Sequence, residues 1–216
     1  MKEWGGFYDM LMPELPGCPQ AAADHALRRC AVEFCEQSLV WQAFHPEVAI
    51  SAGTADYAFS PPEGALVHAI LRAALDGGEL ETSVPGRAGG SLHGQQGGGG
   101  SPRYVLGGTT RFTLAPEPAA TGILAMTVVL KPSPDSQGIE DGLFDEYREP
   151  IAHGTLARLM LSPKKPYSNI DLAAYHRQQF IVKTAAAGAR AATRHARAAL
   201  QTLLPGPSGR RSEQWV

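Results

Sequence analysis

The sequence has little that would place it in a membrane or in a disulfide-bonded scaffold. It contains no run of about 18 apolar residues, the length that spans a bilayer, and its first six residues are not followed by the apolar core of a secretion signal. Its cysteines, Cys18, Cys30 and Cys35, are odd in number and lack the Cys-x-x-Cys spacing of zinc and redox sites. We therefore expect a protein that is neither membrane-inserted nor secreted. Cys30 and Cys35 fit the apolar face of a helix, which predicts buried free thiols.

The chain also lacks a strong net charge. Its 216 residues include 19 lysines and arginines against 21 aspartates and glutamates, a formal charge of −2 at pH 7. Such a balance gives no general attraction to nucleic acid or to anionic lipid, so partners must be recognised by local surfaces. The length is sufficient for one domain with a good core, or for a small core with an appended subdomain.

Motifs that carry catalysis are missing as well. The sequence has no G-x-S-x-G nucleophile elbow, no G-x-x-x-x-G-K-[ST] loop and no G-x-G-x-x-G between a strand and a helix. The histidines lack the spacing of a zinc protease and do not join a cysteine in zinc-ligand spacing; they are His25, His45, His68, His93, His153, His176 and His195. We predict that the protein is not an enzyme and uses no metal or cofactor.

Three segments have the periodicity of helices. Pro19–Gln42 is amphipathic and is ended by Pro46, after a start that has the composition of a mobile segment. A second helix begins near Asp141. It leads through a proline-marked turn to a capping box at Ser168 and Asp171 and to a last helix over 169–203. The short turn predicts that these two helices lie antiparallel. The first two helices each carry an apolar stripe. It consists of Ala23, Ala26, Leu27, Cys30, Ala31, Phe34, Cys35 and Trp41 in the first helix, and of Leu143, Phe144, Tyr147, Ile151, Leu156, Leu159 and Met160 in the second.

The middle of the chain has the pattern of short strands. The predicted strands are Val48–Ile50, Tyr57–Phe59, 64–75, Glu79–Thr82, Tyr104–Leu106, Thr110–Leu114 and Ile123–Leu130. Alanine and leucine favour a helix over 64–75, but the neighbouring strand patterns and the turn at Asp76–Gly78 favour a strand, which we predict. Ile123–Leu130 is apolar at both alternations and is predicted to be a central strand. The glycine-rich residues 85–102 are predicted to be a flexible loop.

These elements predict an α+β fold: an antiparallel α-helical bundle with a long C-terminal helix and an inserted small antiparallel β subdomain. The expected organisation is an N-terminal segment and first bundle helix over 1–46, the β subdomain over 47–134 with its glycine-rich loop 85–102, the C-terminal bundle helices over 135–204, and an extended basic tail over 205–216.

A basic stripe is the candidate functional surface. Lys183, Arg190, Arg194 and Arg197 share one face of the last helix, and Arg210, Arg211 and Trp215 follow in the tail. A solvated face is the alternative interpretation. The remaining helix surface is rich in alanine, which favours a contact with another chain. Arginine beside tryptophan is typical of protein–protein hot spots.

Gly154 is a second candidate position. We expect it at a close crossing of two helices, because a residue without a β-carbon permits such an approach. A weak point in the helix, costing about 1 kcal/mol relative to alanine, is the alternative.

Several segments carry a family resemblance. They are Leu15-Pro-Gly-Cys-Pro19, Ala31–Glu36, Pro102-Arg-Tyr104, Phe112–Pro116, Val128–Pro132, His153-Gly154-Thr155, LARLMLSPKKPY and the Asn-x-x-Leu-Ala-x-Tyr-x-x-x-Phe pattern that begins at Asn169. In this order the chain resembles head–tail adaptor (connector) proteins of tailed bacteriophages. Pro150 and the glycine-rich insert depart from the pattern of that family.

The resemblance implies a virion structural protein at the head–tail junction, present in the host cytoplasm during assembly. As in the adaptors, a homo-oligomeric ring, expected to have twelve copies, would lie below the portal protein, extend the DNA channel and attach the tail proteins. Transient contact with genomic DNA in the channel is expected, and contact with a membrane is not. A nucleic-acid-binding module that uses the basic C-terminal helix is the alternative.

Overall fold

The computed structural model describes residues 1–83 and 100–193, which form helices, short 3₁₀ turns and strands. The helices are α1 (Tyr8–Leu11), α2 (Gln20–Ser38), α3 (Asp141–Met160) and α4 (Ile170–Ala192), with 3₁₀ turns at Trp4–Phe7 and Met12–Glu14. The strands are β1 (Lys2–Glu3), β2 (Gln42–Ile50), β3 (Asp56–Ala58), β4 (Ala65–Leu75), β5 (Gly78–Ser83), β6 (Tyr104–Gly107), β7 (Arg111–Ala115), β8 (Gly122–Pro132) and β9 (Gly138–Ile139).

A curled sheet of seven strands runs in the order β2-β8-β4-β5-β6-β7-β3. Neighbouring strands are antiparallel except β5 and β6, which are parallel. β1 and β9 form a separate antiparallel pair. The predicted helical bundle with a small antiparallel β subdomain is therefore wrong, because the fold is a mixed α+β one in which the large sheet is a principal layer.

The first helix is shorter and the strand after it longer than their patterns indicate. The predicted helix extends to Gln42, whereas α2 ends at Ser38 and Leu39 adopts a left-handed φ of 55°. The predicted strand begins at Val48, whereas β2 begins at Gln42 and includes Pro46. Proline is tolerated there because β2 is an edge strand and its register with β8 shifts between His45 and Val48.

The strand prediction for 64–75 is confirmed by β4, which pairs with both β5 and β8. A two-residue turn at Asp76 and Gly77 joins β4 to β5, and both residues have positive φ, 49° and 83°. That geometry matches the right-handed twist of hairpin strands. Pairing within the sheet therefore overrides the helix propensity of the alanines and leucine. β8 lies inside the sheet between β2 and β4, as predicted for its apolar sequence.

Two hydrophobic cores result from this arrangement. The helical core contains the apolar stripes of α2 and α3, and the predicted residues of these stripes are buried apart from Trp41, which is partly buried. The sheet curls around a second core, in which Phe59 and Phe112 have ring centroids 5.1 Å apart. Cys30 and Cys35 are free and buried, as predicted, and burial raises the pKa of Cys35 to about 12.

The N-terminal segment belongs to the helical core, contrary to the expectation of a mobile start. Trp4, Phe7, Leu11 and Leu15 are buried, and the Trp4 indole Nε1–H donates to the carbonyl oxygen of Ser136 at 2.9 Å. Phe7 also packs edge-on against Phe144 of α3, with ring centroids 4.9 Å apart.

The helices α3 and α4 form the predicted antiparallel hairpin, since residues late in α3 contact residues early in α4 and the reverse. Backbone angles depart from helical values at Tyr147, one turn before Pro150, which has no amide hydrogen for the helix ladder. The predicted Ser168 cap is wrong: Asn169 is the N-cap of α4, and its Oδ1 accepts from the Leu172 amide at 3.0 Å. Residues 85–99 of the predicted loop lie outside the described residues, and so does the part of the predicted last helix beyond Thr193.

Candidate functional site

The described members of the basic stripe face α3. Lys183 Nζ lies 3.0 Å from Glu149 Oε1, and this contact is the main reason that the pKa of Glu149 falls below its usual value. An Arg190 guanidinium nitrogen lies 3.7 Å from Glu146 Oε1, and its central carbon lies 5.3 Å from the centre of the Tyr147 ring. These two cations therefore join the helices of the hairpin.

The other members of the predicted surface lie outside the described residues: Arg194, Arg197, Arg210, Arg211 and Trp215. The stripe as a contact surface for another molecule stays a prediction. The described residues of the stripe, Lys183 and Arg190, connect α3 and α4 through two ion pairs at the surface. A surface ion pair stabilises a fold by at most about 1 kcal/mol.

Gly154 lies where α3 meets α4. A β-carbon at this position would be 2.7 Å from Phe180 Cδ2 and 2.9 Å from Phe180 Cε2. Phe180 is a buried member of the helical core, so displacing its ring would disturb its packing there. The absence of a side chain at Gly154 is therefore what lets the Phe180 ring lie against the α3 backbone.

A histidine pair joins the same two helices. His153 Nδ1 on α3 and His176 Nδ1 on α4 are 2.8 Å apart, and His176 Nε2 lies 3.0 Å from Glu14 Oε2 of the N-terminal segment. A carboxylate only accepts, so Glu14 accepts from His176 Nε2–H; when both rings are neutral, His176 Nδ1 then accepts from His153 Nδ1–H. Burial, followed by the neighbouring His176, lowers the pKa of His153.

The local spacing of histidines along the sequence does not reveal this pair. His153 and His176 lie at similar distances on either side of the predicted turn. In an antiparallel hairpin, such positions face each other, so the hairpin register was the available signal. Glu14 could not be found in this way, since its position depends on how the N-terminal segment packs.

An exposed side of α4, next to its contact with α3, is apolar. Leu172, Tyr175 and Val182 have exposed fractions of 44%, 54% and 54%. They belong to a row with alternating three- and four-residue spacing, which we call the α4 outer face: Leu172, Tyr175, Gln179, Val182, Ala186 and Ala189. A helix that is apolar on an exposed side as well as on its buried side is typical of an interface.

A second exposed apolar surface lies on the sheet. It is a groove of about 580 Å³. Its outward-facing residues, which we call the sheet groove, are Phe44, Arg72, Ala74, Glu79, Ala125 and Thr127. Phe44 is 89% exposed. The next outward residues along β8, Val129 and Lys131, lie under α2, and Lys131 Nζ is 2.5 Å from Glu36 Oε1. The helix α2 thus covers one end of this sheet face and leaves the groove open.

Within residues 1–83 and 100–193, no group of three or more His, Cys, Asp or Glu side chains is placed to hold a metal ion. Over the same ranges, none of the helices combines the length and apolar character needed to cross a membrane.

The chain matches a family model described as SU10 adaptor protein over residues 12–204. A match of this extent means that the chain belongs to the SU10 adaptor protein family, which confirms the resemblance to phage head–tail adaptors. Membership implies a bacteriophage adaptor role, a location in the virion and contacts with other head or tail proteins. No curated protein matches the chain.

Proposed function

We propose that the protein is a head–tail adaptor that forms a ring of twelve copies below the portal, extends the DNA channel and gives the tail a place to attach. Family membership supports the adaptor role. The observation that carries the assembly is the α4 outer face, a long apolar helix surface exposed in the isolated chain. Its role is structural, with no catalysis and no cofactor.

A closed ring requires contacts between unlike surfaces of adjacent subunits, because each copy must offer one surface to the copy before it and another to the copy after it. Within residues 1–83 and 100–193, the α4 outer face and the sheet groove are exposed apolar surfaces of different shape. Burial of such surfaces is the main favourable contribution to protein association. The α4 outer face and the sheet groove are thus two unlike apolar surfaces, as contacts between adjacent subunits of a ring require.

The C-terminal residues are the proposed attachment to the portal or to an adjacent subunit. Residues 194–216 contain Arg194, Arg197, Arg210, Arg211 and Trp215, a combination enriched at protein interfaces. Truncation after Leu204 is expected to leave the subunit folded and to abolish portal attachment, measured by co-purification with the portal protein. Complete infectious particles assembled from the truncated protein would contradict this role.

The alternative, a nucleic-acid-binding module on the last helix, has less support. Lys183 and Arg190 already lie beside glutamates of α3, and a phosphate would have to compete with those carboxylates. Binding of labelled DNA with a steep dependence on salt would favour this alternative. DNA passing through the channel, as a transient contact, remains part of the adaptor proposal.

Reconstruction of the virion from electron micrographs tests the proposed function. The expected density is a twelve-fold ring of this chain between the portal and the tail. In host cytoplasm during assembly, the chain is expected to co-purify with portal and tail proteins. Density for the chain elsewhere in the particle would overturn the proposal.

A further inference from the structure

We propose that the α4 outer face of one copy packs into the sheet groove of the next copy. This inference rests on the proposed ring and names the two surfaces that join its subunits. Both surfaces are exposed in the same chain, so neither is covered by the other within one subunit. A second copy of the chain is the proposed occupant of each.

The α4 outer face has the pattern of a helix that packs along its length. Its members recur at alternating spacings of three and four residues, which places them in one row on the helix. Large side chains, Tyr175 and Val182, occupy the first part, and alanines occupy the end. The row has no charged member, and Lys183 and Arg190, which border it, form ion pairs with α3.

The sheet groove has the shape that receives such a helix. Ala74 and Ala125 face each other across β4 and β8, and their small side chains form a shallow floor. Phe44 on the edge strand pairs with Thr127 and stands at the side of that floor. Because β-strand side chains alternate between faces, Phe44, Thr127 and Ala125 all point outward, away from the sheet core.

The charges beside the two surfaces are complementary at one position. Asp171 is exposed next to Leu172 at the start of the α4 outer face, and Arg72 is exposed in the groove and has the opposite sign. Neither forms an ion pair with a residue in 1–83 or 100–193. Opposite charges at a rim set the orientation of a complex more than its affinity.

Charge substitutions in the two surfaces test the pairing. Val182→Asp alters the helix surface and Phe44→Asp alters the groove, and both positions are exposed, so each subunit is expected to fold. Leu161→Asp, at an apolar position 53% exposed in the turn after α3, is the matched control. With assembly mass as the measurement, we expect each test variant to weaken self-association about tenfold or more and the control to leave it unchanged.

Mixing the two variants distinguishes unlike from like surfaces. A Phe44→Asp copy retains its helix surface and a Val182→Asp copy retains its groove, so the mixture is expected to form dimers and nothing larger. If α4 instead packs against α4 of another copy, Phe44→Asp assembles like the wild type. That outcome would overturn the proposed pairing.

Disulfide trapping between two introduced cysteines tests the same pairing when self-association is too weak to measure by mass. On oxidation at high protein concentration, a mixture of Val182→Cys and Ala74→Cys chains is expected to give a disulfide-linked dimer that neither variant forms alone. No such dimer would overturn the pairing. Wild-type-like rings from both Asp variants would reject the pairing and leave the adaptor ring intact, whereas a wild type that forms no ring with or without the portal would reject the proposed function.

Discussion

His153 and His176 are joined by a hydrogen bond between their Nδ1 atoms, which are 2.8 Å apart. One of the two nitrogens must donate and the other must accept, so the bond cannot exist when both rings are protonated. Glu149 and Lys183 face His153, Glu14 faces His176, and the Tyr175 ring lies beside both. A change in protonation of the histidine pair would therefore affect both the contact between α3 and α4 and the contact of α4 with Glu14 of the N-terminal segment.

Acid is expected to destabilise the protein through this pair. The pKa of His153 is lowered in the folded state, so near and below the ordinary value of about 6.5 the unfolded chain binds more protons than the folded one. The stability contribution of neutral His153 is therefore present above that value and is lost as the pH falls through the folded pKa. Thermal melts between pH 8 and pH 5 measure it.

His153→Gln removes this titrating group and is expected to flatten the dependence of Tm on pH in that range. His25→Gln, at an exposed histidine of α2, is the control and should retain the wild-type slope. An unchanged slope in His153→Gln would contradict the assignment.

Gly154→Ala is expected to destabilise the fold by about 1–3 kcal/mol, because its β-carbon would lie 2.7 Å from Phe180 Cδ2. Gly154→Leu is expected to disrupt folding. Helix propensity alone predicts the opposite sign for alanine, a gain of about 1 kcal/mol. Gly188→Ala in α4 is the control, because its nearest neighbour would be at 3.4 Å. Urea denaturation measures both, and an alanine variant at 154 as stable as the wild type would refute the close crossing.

Lys183 and Glu149 are expected to show a coupling free energy of about 0.2–1 kcal/mol in a double-mutant cycle, the range of exposed ion pairs. The four proteins are the wild type, Lys183→Gln, Glu149→Gln and the double variant, compared by urea denaturation. Arg177→Gln with Glu149→Gln is the control cycle, since Arg177 forms no ion pair with Glu149. Equal values in the two cycles would show that Lys183 does not act on α3.

Replacement of residues 86–99 by a flexible Gly-Ser linker is expected to leave the monomer folded, because the cost of loop closure changes slowly with length. Gly100 is retained, since its amide donates to the Glu117 carbonyl oxygen at 3.0 Å. The linker must also allow β5 and β6 to pair in parallel. Circular dichroism and a thermal melt check the result. An unfolded variant would show that this segment contributes to the sheet.

The apolar pattern of the sequence was enough to identify the buried faces of α2 and α3 and the central position of β8, and the short turn between α3 and α4 was enough to predict their hairpin. The buried faces and the central strand depend on which residues avoid water at a spacing of about four or two along the chain. The strand at β4 needed its neighbours as well, because alanine and leucine by themselves favour a helix.

Only the tertiary structure decided the extent of the sheet, the burial of Trp4 and Phe7, and the partners of the basic residues. A sheet of seven strands depends on pairings between distant segments, and a three-residue apolar pattern did not predict that β2 continues through Pro46. The spacing of Lys183 and Arg190 placed them on one side of a helix. That this side faces the glutamates of α3 follows from the packing of two helices, which brings together residues far apart in the chain.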